Sequence, residues 1–159
     1  MMDDGGTHPG LQVGDIAPDF CLPNQFGEPI SLAGLRGAPV ALVFYPFAFS
    51  GICTGELCEL RDNLGDFEDA GVRLLAISVD TKYTLRAYAE SEAYAFDLLA
   101  DFWPHGGVAQ EYGVFDPVRG MAGRGTFLIN ADGRIVDMFS TPTGQARPLE
   151  RYRQALERL

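Results

Sequence analysis

The sequence predicts an α/β domain with a mixed central sheet, and three observations carry that expectation. Residues 40–45 form an unbroken β-branched and aromatic run, the pattern of a strand covered on both faces. In residues 53–70, Leu57, Leu60, Leu64 and Phe67 recur at three- and four-residue spacing, as on one face of an amphipathic helix. Late in the chain, residues 125–130 and 134–139 flank Ala131-Asp132-Gly133, a hairpin turn signal that calls for an antiparallel pair.

The remaining elements follow in order. Residues 1–12 are acidic and Gly-rich and read as a flexible tail, leaving residues 13–159 as the domain. Residues 17–22 form a half-buried segment, Pro23-Asn24-Gln25-Phe26-Gly27 a polar turn, and residues 28–31 a second extended piece, together a hairpin. After the strand at 40–45 and the helix at 53–70, Gly71 is the helix stop. Residues 72–79 read as a second buried strand, 83–94 as a helix and 96–99 as a short third strand. Phe102-Trp103-Pro104-His105-Gly106-Gly107 is a loop, followed by a brief helix to about Tyr112. The late hairpin comes next, and residues 149–159 close the chain as a helix. Strand, helix, strand, helix and then hairpin and helix is the order of a mixed-sheet α/β domain.

Composition narrows the function. A chain of 159 residues has room for one domain with one substantial core. Hydrophobic residues make up 47% and charged residues 21%, the balance of a globular and not a disordered protein. Twelve basic against twenty-two acidic residues leave a net charge of -10, which argues against nucleic acid and against anionic membrane surfaces. The longest nearly uncharged apolar run, residues 38–49, is interrupted by Pro39 and Pro46 and falls short of the ~20 residues that a spanning helix needs. The amino terminus has no apolar stretch of the secretory type, so a cytoplasmic setting is expected. Three cysteines and two histidines are too few for a disulfide scaffold or a Cys/His zinc site. With no Gly-x-Gly-x-x-Gly and no Walker loop, no cofactor is expected.

The chemistry concentrates between Val43 and Cys58. A buried strand ends at Pro46, a short loop follows, and Cys53 falls in the first turn of the next helix. Backbone N–H groups at a helix start lack intrahelical acceptors, and the helix dipole places partial positive charge there; both favour thiolate over thiol. A thiolate held in a dry, donor-lined pocket is suited to attack on a polarisable O–O bond.

At this point the sequence resembles the peroxiredoxins, thiol peroxidases of thioredoxin-like fold. Pro46, Ser50 and Cys53 match their Pro-x-x-x-Thr/Ser-x-x-Cys motif, Ala17-Pro18-Asp19-Phe20 looks like the family's first strand, and Arg124-Gly125-Thr126-Phe127-Leu128-Ile129 like the strand bearing its second-site arginine. The resemblance runs from about Val13 to Leu159. It implies that Cys53 is the peroxidatic nucleophile and that the Ser50 hydroxyl bonds the thiolate and the incoming peroxide. Arg124 would stabilise the thiolate and the charge developing on oxygen, Pro46 would shield the sulfur from water, and Glu56 would fix the orientation of the arginine. The implied substrates are hydrogen peroxide, organic hydroperoxides or peroxynitrite. The implied first product is a Cys53 sulfenic acid, and the implied assembly is a monomer or homodimer. Without the resemblance, Glu56 can also be read as a helix-start charge complementing the dipole.

Cys58 mixes two branches of that family. Cys53-Thr54-x-Glu56-x-Cys58 is similar to the bacterioferritin-comigratory or Q type, which keeps its resolving cysteine there. The Phe44–Cys53 and Phe102–Gly106 stretches look closer to the one-cysteine AhpE branch. On an ideal helix, positions i and i+5 are 140° apart with Cα atoms ~8.6 Å from each other, whereas a disulfide needs about 7 Å or less. A Cys53–Cys58 bond therefore requires the first turns to unwind, and Gly51 and Gly55 weaken that segment. The expected cycle forms this disulfide and returns through thioredoxin or a similar dithiol. The alternative leaves Cys58 packed like Leu57 and Leu60, with an external thiol resolving Cys53.

Other readings are open. A disulfide oxidoreductase would want Cys-x-x-Cys, and Glu56 occupies the second place. A peroxide sensor or chaperone-like protein would use the same Cys53 chemistry. Cys–His hydrolysis would need a base, and only His8 and His105 exist, the latter with no evident orienting partner. Cys21 is expected to pack as a small hydrophobe. Trp103, Pro104 and His105 read as a frame for the pocket or a dimer contact, or, for His105, as a hydrogen-bonded surface residue.

Overall fold

Side chains alternate across a buried strand, and that alternation divides this protein's apolar residues into two layers. A computed structural model describes residues 10–159. The chain begins with β1 (Cys21–Pro23) and β2 (Pro29–Ser31), an antiparallel pair, and a short 3-10 turn at Ala33–Leu35. It continues through β3 (Val40–Phe44), α1 (Gly51–Asp62), α2 (Leu64–Asp69), β4 (Arg73–Ser78), α3 (Lys82–Glu92), β5 (Asp97–Ala100) and α4 (Gly107–Glu111). It ends with β6 (Phe115–Asp116), β7 (Met121–Ala122), β8 (Arg124–Ile129), β9 (Ile135–Thr141) and α5 (Leu149–Leu156). The central sheet has the order β5-β4-β3-β8-β9, parallel among β3, β4 and β5 and antiparallel from β3 through β8 to β9. The element order expected a mixed-sheet α/β domain, and this is the thioredoxin-like form of it that the resemblance implies.

Ala41, Val43, Leu74, Ala76, Leu98 and Leu128 face one layer, where Leu57, Leu60, Phe67, Leu85, Tyr88 and Tyr152 from the helices cover them. Leu42, Phe44, Leu75, Ile77, Leu99 and Phe127 face the other, covered by Phe20, Leu22, Val108 and Tyr112. The continuous apolar reading of β3 and β4 follows from burial on both sides. The register places the chemistry. Val43 of β3 pairs with Thr126 of β8, so Arg124, the first residue of β8, lies beside the exit of β3, where the chain runs into α1.

Several expectations are corrected. The predicted helix over 53–70 is two helices, broken at Asn63, whose side-chain amide donates to the Glu59 carbonyl at 2.9 Å. The apolar periodicity continues across the break because Leu60 and Phe67 reach the same layer. The predicted extended segment 17–22 is a strand only from Cys21. Cys21 itself is exposed and not packed, because β1 has one solvent face. The small hairpin of β6 and β7 was not expected, since two-residue strands carry no readable period. His105 has an orienting partner: Nε2 lies 2.7 Å from the Gly120 carbonyl oxygen. Within the expected tail, residues 1–9, with His8, lie outside the described residues, while Leu11 packs against the second layer.

α5 is held to the sheet by Asp137 of β9, which accepts from Arg151 at 2.7 and 2.9 Å. Burial opposes ionisation of Asp137, but the bonds and charge of Arg151, the Met138 N–H and Arg158 outweigh it and hold the carboxyl below its ordinary range. A lowered folded-state value contributes stability that is present above the unfolded value and is lost as pH falls through the folded one. Asp137→Asn is expected to cost about 2 kcal/mol at pH 7. That difference should shrink as pH is lowered below about 4, as read by urea unfolding at a series of pH values.

Candidate active site

Cys53 sits in the first turn of α1, fully buried. Ser50 occupies the cap position with extended backbone, and its hydroxyl makes no capping bond. Among the described residues, the side-chain hydrogen bond of Cys53 is the one it accepts from Arg124 Nη2, at 3.2 Å. Pro46, two residues past the end of β3, is buried. The loop between them is pinned by Asp80, which accepts from the Ala48 N–H at 2.8 Å and the Ser78 hydroxyl at 2.6 Å. Phe49 within that loop has a φ of 69°, an uncommon and costly conformation for a bulky residue. Its ring lies 4.8 Å from that of Tyr88. Phe47, Phe49 and Ile52 are exposed and form an apolar rim on this segment.

Arg124 is fixed on all three nitrogens. Nε donates to the Thr143 carbonyl at 2.7 Å, Nη1 to Glu56 at 3.1 Å and Nη2 to Cys53 Sγ. Glu56, one turn after Cys53 and on the same face of α1, is the hub. Besides Arg124, it accepts from Arg147 Nε at 2.6 Å, from the Arg147 backbone N–H and Nη2 at 3.2 Å, and from the Tyr152 hydroxyl at 2.7 Å. Arg147 completes its own set with the Thr126 hydroxyl and the Phe44 carbonyl. Burial, chiefly, keeps Tyr152 protonated, so that it donates to the carboxylate.

Charge balance follows from these pairs. Glu56 supplies one negative charge against the positive charges of Arg124 and Arg147, and all three side chains are buried. Among the described residues, the cluster therefore holds one positive charge more than it has negative ones, in a low-dielectric setting, a costly state that a thiolate on Cys53 neutralises. The same Nη2 can bond an oxygen bound to that sulfur. The arrangement thus provides a dry nucleophile and a pre-positioned donor for charge that develops on oxygen.

Cys53, Glu56 and Arg124 are brought into one hydrogen-bonded cluster, while among the described residues the expected bond from the Ser50 hydroxyl to the Cys53 sulfur is not made. Cys58 is not part of the cluster. Half-buried on α1, its sulfur lies 3.5 Å from Glu92 Oε1 and 3.6 Å from the Tyr94 hydroxyl. Arg147 and Tyr152 were missed from the sequence. Arg147 lies in an aperiodic loop before α5, and Tyr152 reads as an ordinary core position of that helix.

The AhpC/TSA family model matches residues 13–138. Alkyl hydroperoxide reductase E of Mycobacterium tuberculosis (strain ATCC 25618 / H37Rv) is 45% identical over 150 residues, covering 94% of this chain and 98% of that protein. Peroxiredoxin Bcp of Escherichia coli (strain K12) is 40% identical over 135 residues, covering 81% and 85%. Among solved structures, peroxidoxin BcpB from Mycobacterium tuberculosis superposes with a TM-score of 0.81 at 31% identity, over 93% of this chain and 96% of that one. AhpC of Enterococcus faecalis superposes with a TM-score of 0.84 at 26% identity, over 91% and 90%. With its fold, its buried thiol–arginine pair and these relatives in agreement, the chain belongs to the AhpC/TSA family and is a peroxiredoxin.

Proposed function

We propose that this peroxiredoxin reduces hydrogen peroxide and organic hydroperoxides, and also peroxynitrite, through Cys53. The observation that carries the reading is Arg124, whose guanidinium bonds the Cys53 sulfur and the buried carboxylate of Glu56 together. The thiolate attacks the nearer peroxide oxygen and the O–O bond breaks; the departing oxygen leaves as water or an alcohol after taking a proton, or, from peroxynitrite, as nitrite. Arg124 bonds the sulfur and the charge on oxygen, Ser50 orients the peroxide, Pro46 excludes water, and Glu56 positions the arginine. The apolar rim of Phe47, Phe49 and Ile52 suits alkyl hydroperoxides.

The Cys53 sulfenic acid is then resolved by Cys58 after the start of α1 unwinds, and a thioredoxin-like dithiol reduces the disulfide. The protein acts through one domain, residues 13–159, as a monomer or homodimer in a cytoplasmic setting. The test is turnover of hydrogen peroxide and cumene hydroperoxide with thioredoxin as reductant. The wild type and not Cys53→Ser is expected to turn over, and undiminished turnover by Cys53→Ser would overturn the reading. Because the Cys58 sulfur is engaged by Glu92 of α3 and by Tyr94, a second reading has an external thiol resolve Cys53. Equal turnover by Cys58→Ser would favour it.

Unwinding makes a further prediction at Gly55. A Cβ added there meets nothing within 4 Å, so alanine fits the folded helix. Gly55→Ala should stabilise α1 by about 1 kcal/mol, roughly a fivefold shift in the opening equilibrium. Disulfide formation is expected to slow by about that factor, with more sulfinic acid in excess peroxide and unchanged oxidation of Cys53. Quenched-flow mass spectrometry separates the two steps.

A further inference from the structure

Cys58 has surroundings that a packing cysteine does not require. Its sulfur is within bonding distance of Glu92 Oε1, at 3.5 Å, and of the Tyr94 hydroxyl, at 3.6 Å. Glu92 ends α3, whose last turn contains no basic residue. A carboxylate there faces the negative end of the helix dipole, a placement that costs stability. Yet the residue is held in place. Arg61, three residues after Cys58 on α1, donates to the Glu92 carbonyl at 2.7 Å, and the Ser91 hydroxyl lies 3.3 Å from Oε2.

The turn that must open is held differently. The Tyr94 hydroxyl lies 3.4 Å from both the Thr54 carbonyl oxygen and the Tyr88 hydroxyl. The Tyr88 hydroxyl is in turn 3.0 Å from Thr54 Oγ1. Burial, foremost, keeps both tyrosines neutral, so their bonds to the Thr54 turn break without any change of charge. Cys58 and Arg61 lie beyond that turn, against Glu92. An opening confined to the start of α1 carries Cys53 toward a Cys58 that has kept its carboxylate.

We propose that Glu92 is a further catalytic residue of this chain, the general base that takes the thiol proton of Cys58 as its sulfur attacks the Cys53 sulfenic acid. The inference rests on the reading of Cys58 as the resolving thiol. In the step, the S–S bond forms and the S–O bond of Cys53 breaks. The Cys58 sulfur is oxidised and the Cys53 sulfur reduced. The hydroxide that leaves recovers the proton held by Glu92 and departs as water. No other oxidant or reductant enters. The titratable and charged groups facing Cys58 are Glu92 and Tyr88 of α3, Tyr94 after it, and Arg61 of α1.

The experiment follows Cys53–Cys58 disulfide formation by quenched flow after one equivalent of hydrogen peroxide, from pH 5.5 to 9. It compares full-length wild type and Glu92→Gln. With a carboxylate base the wild-type rate is expected to be nearly flat to about pH 7.5. Without one, resolution depends on spontaneous thiolate, whose fraction rises tenfold per pH unit below about 8.5 for an ordinary thiol. Glu92→Gln is expected to lose roughly 10²-fold at pH 6 and to approach the wild type at the alkaline end, with oxidation of Cys53 unchanged. A merely structural role would lower the rate equally at every pH. A wild type that forms the disulfide with a profile matched in shape by Glu92→Gln overturns the role of Glu92 alone. A wild type that forms no Cys53–Cys58 disulfide overturns the resolving role of Cys58 together with it.

Discussion

Arg124→Ala is expected to slow oxidation of Cys53 by hydrogen peroxide roughly 10²–10³-fold, the usual loss on removing one pre-positioned donor to a developing charge. The arginine reaches the sulfur directly, and its other two nitrogens are occupied by Thr143 and Glu56. It therefore pays no reorganisation when the oxygen becomes negative. Arg124→Lys restores a charge but not the three-way fork, so it should recover only part of the loss. Single-turnover sulfenic acid formation is the measurement. An Arg124→Ala protein within about threefold of the wild type would mean that the helix start alone activates the thiol.

Glu56→Gln should destabilise the fold by about 3–5 kcal/mol, the cost of leaving buried charges without their counter-ion. Glu56 is the acid paired with both Arg124 and Arg147, and the exposures of the three side chains are 1%, 2% and 0%. The neutral amide also gives Tyr152 a weaker acceptor and presents an N–H₂ to donors. Replacing Arg147 with methionine at the same time removes one of the stranded cations, so the double variant should lose less than the sum of the single ones. Urea midpoints at pH 7 measure both. A loss below about 1 kcal/mol for Glu56→Gln would show that solvent reaches the cluster, against its burial.

The sheet was legible because its inner strands are buried on both faces, so Val40–Phe44 and Leu74–Ile77 read as unbroken apolar runs. The break at Asn63 was not, because hydrophobic periodicity reports which face is covered and is blind to a side chain that bonds back to Glu59. The same limit applies to the site. The helix start marks Cys53 in the sequence itself, whereas Glu56, one turn on, and Arg124, at a strand start, are picked out by the family resemblance. Arg147 lies between Pro142 and α5 in a loop with no period, and its burial depends on Glu56, which is 91 positions away in the chain. Tyr152 lies buried on α5, and its hydroxyl contact with Glu56 belongs to tertiary structure alone. Cys21 was misread because a three-residue strand leaves the choice of face to the partner strand.

The central claim, a peroxide-oxidised Cys53 resolved by Cys58, is tested most directly by maleimide labelling and a tryptic map before and after one equivalent of hydrogen peroxide. Cleavage after Arg36 and Arg61 leaves Cys53 and Cys58 on one peptide and Cys21 on another. Labelling is expected to fall from all three cysteines to Cys21 alone, with an internal disulfide in peptide 37–61. Loss of label at Cys53 only, with Cys58 still reactive, would contradict it and assign the resolving step to a thiol from outside the chain.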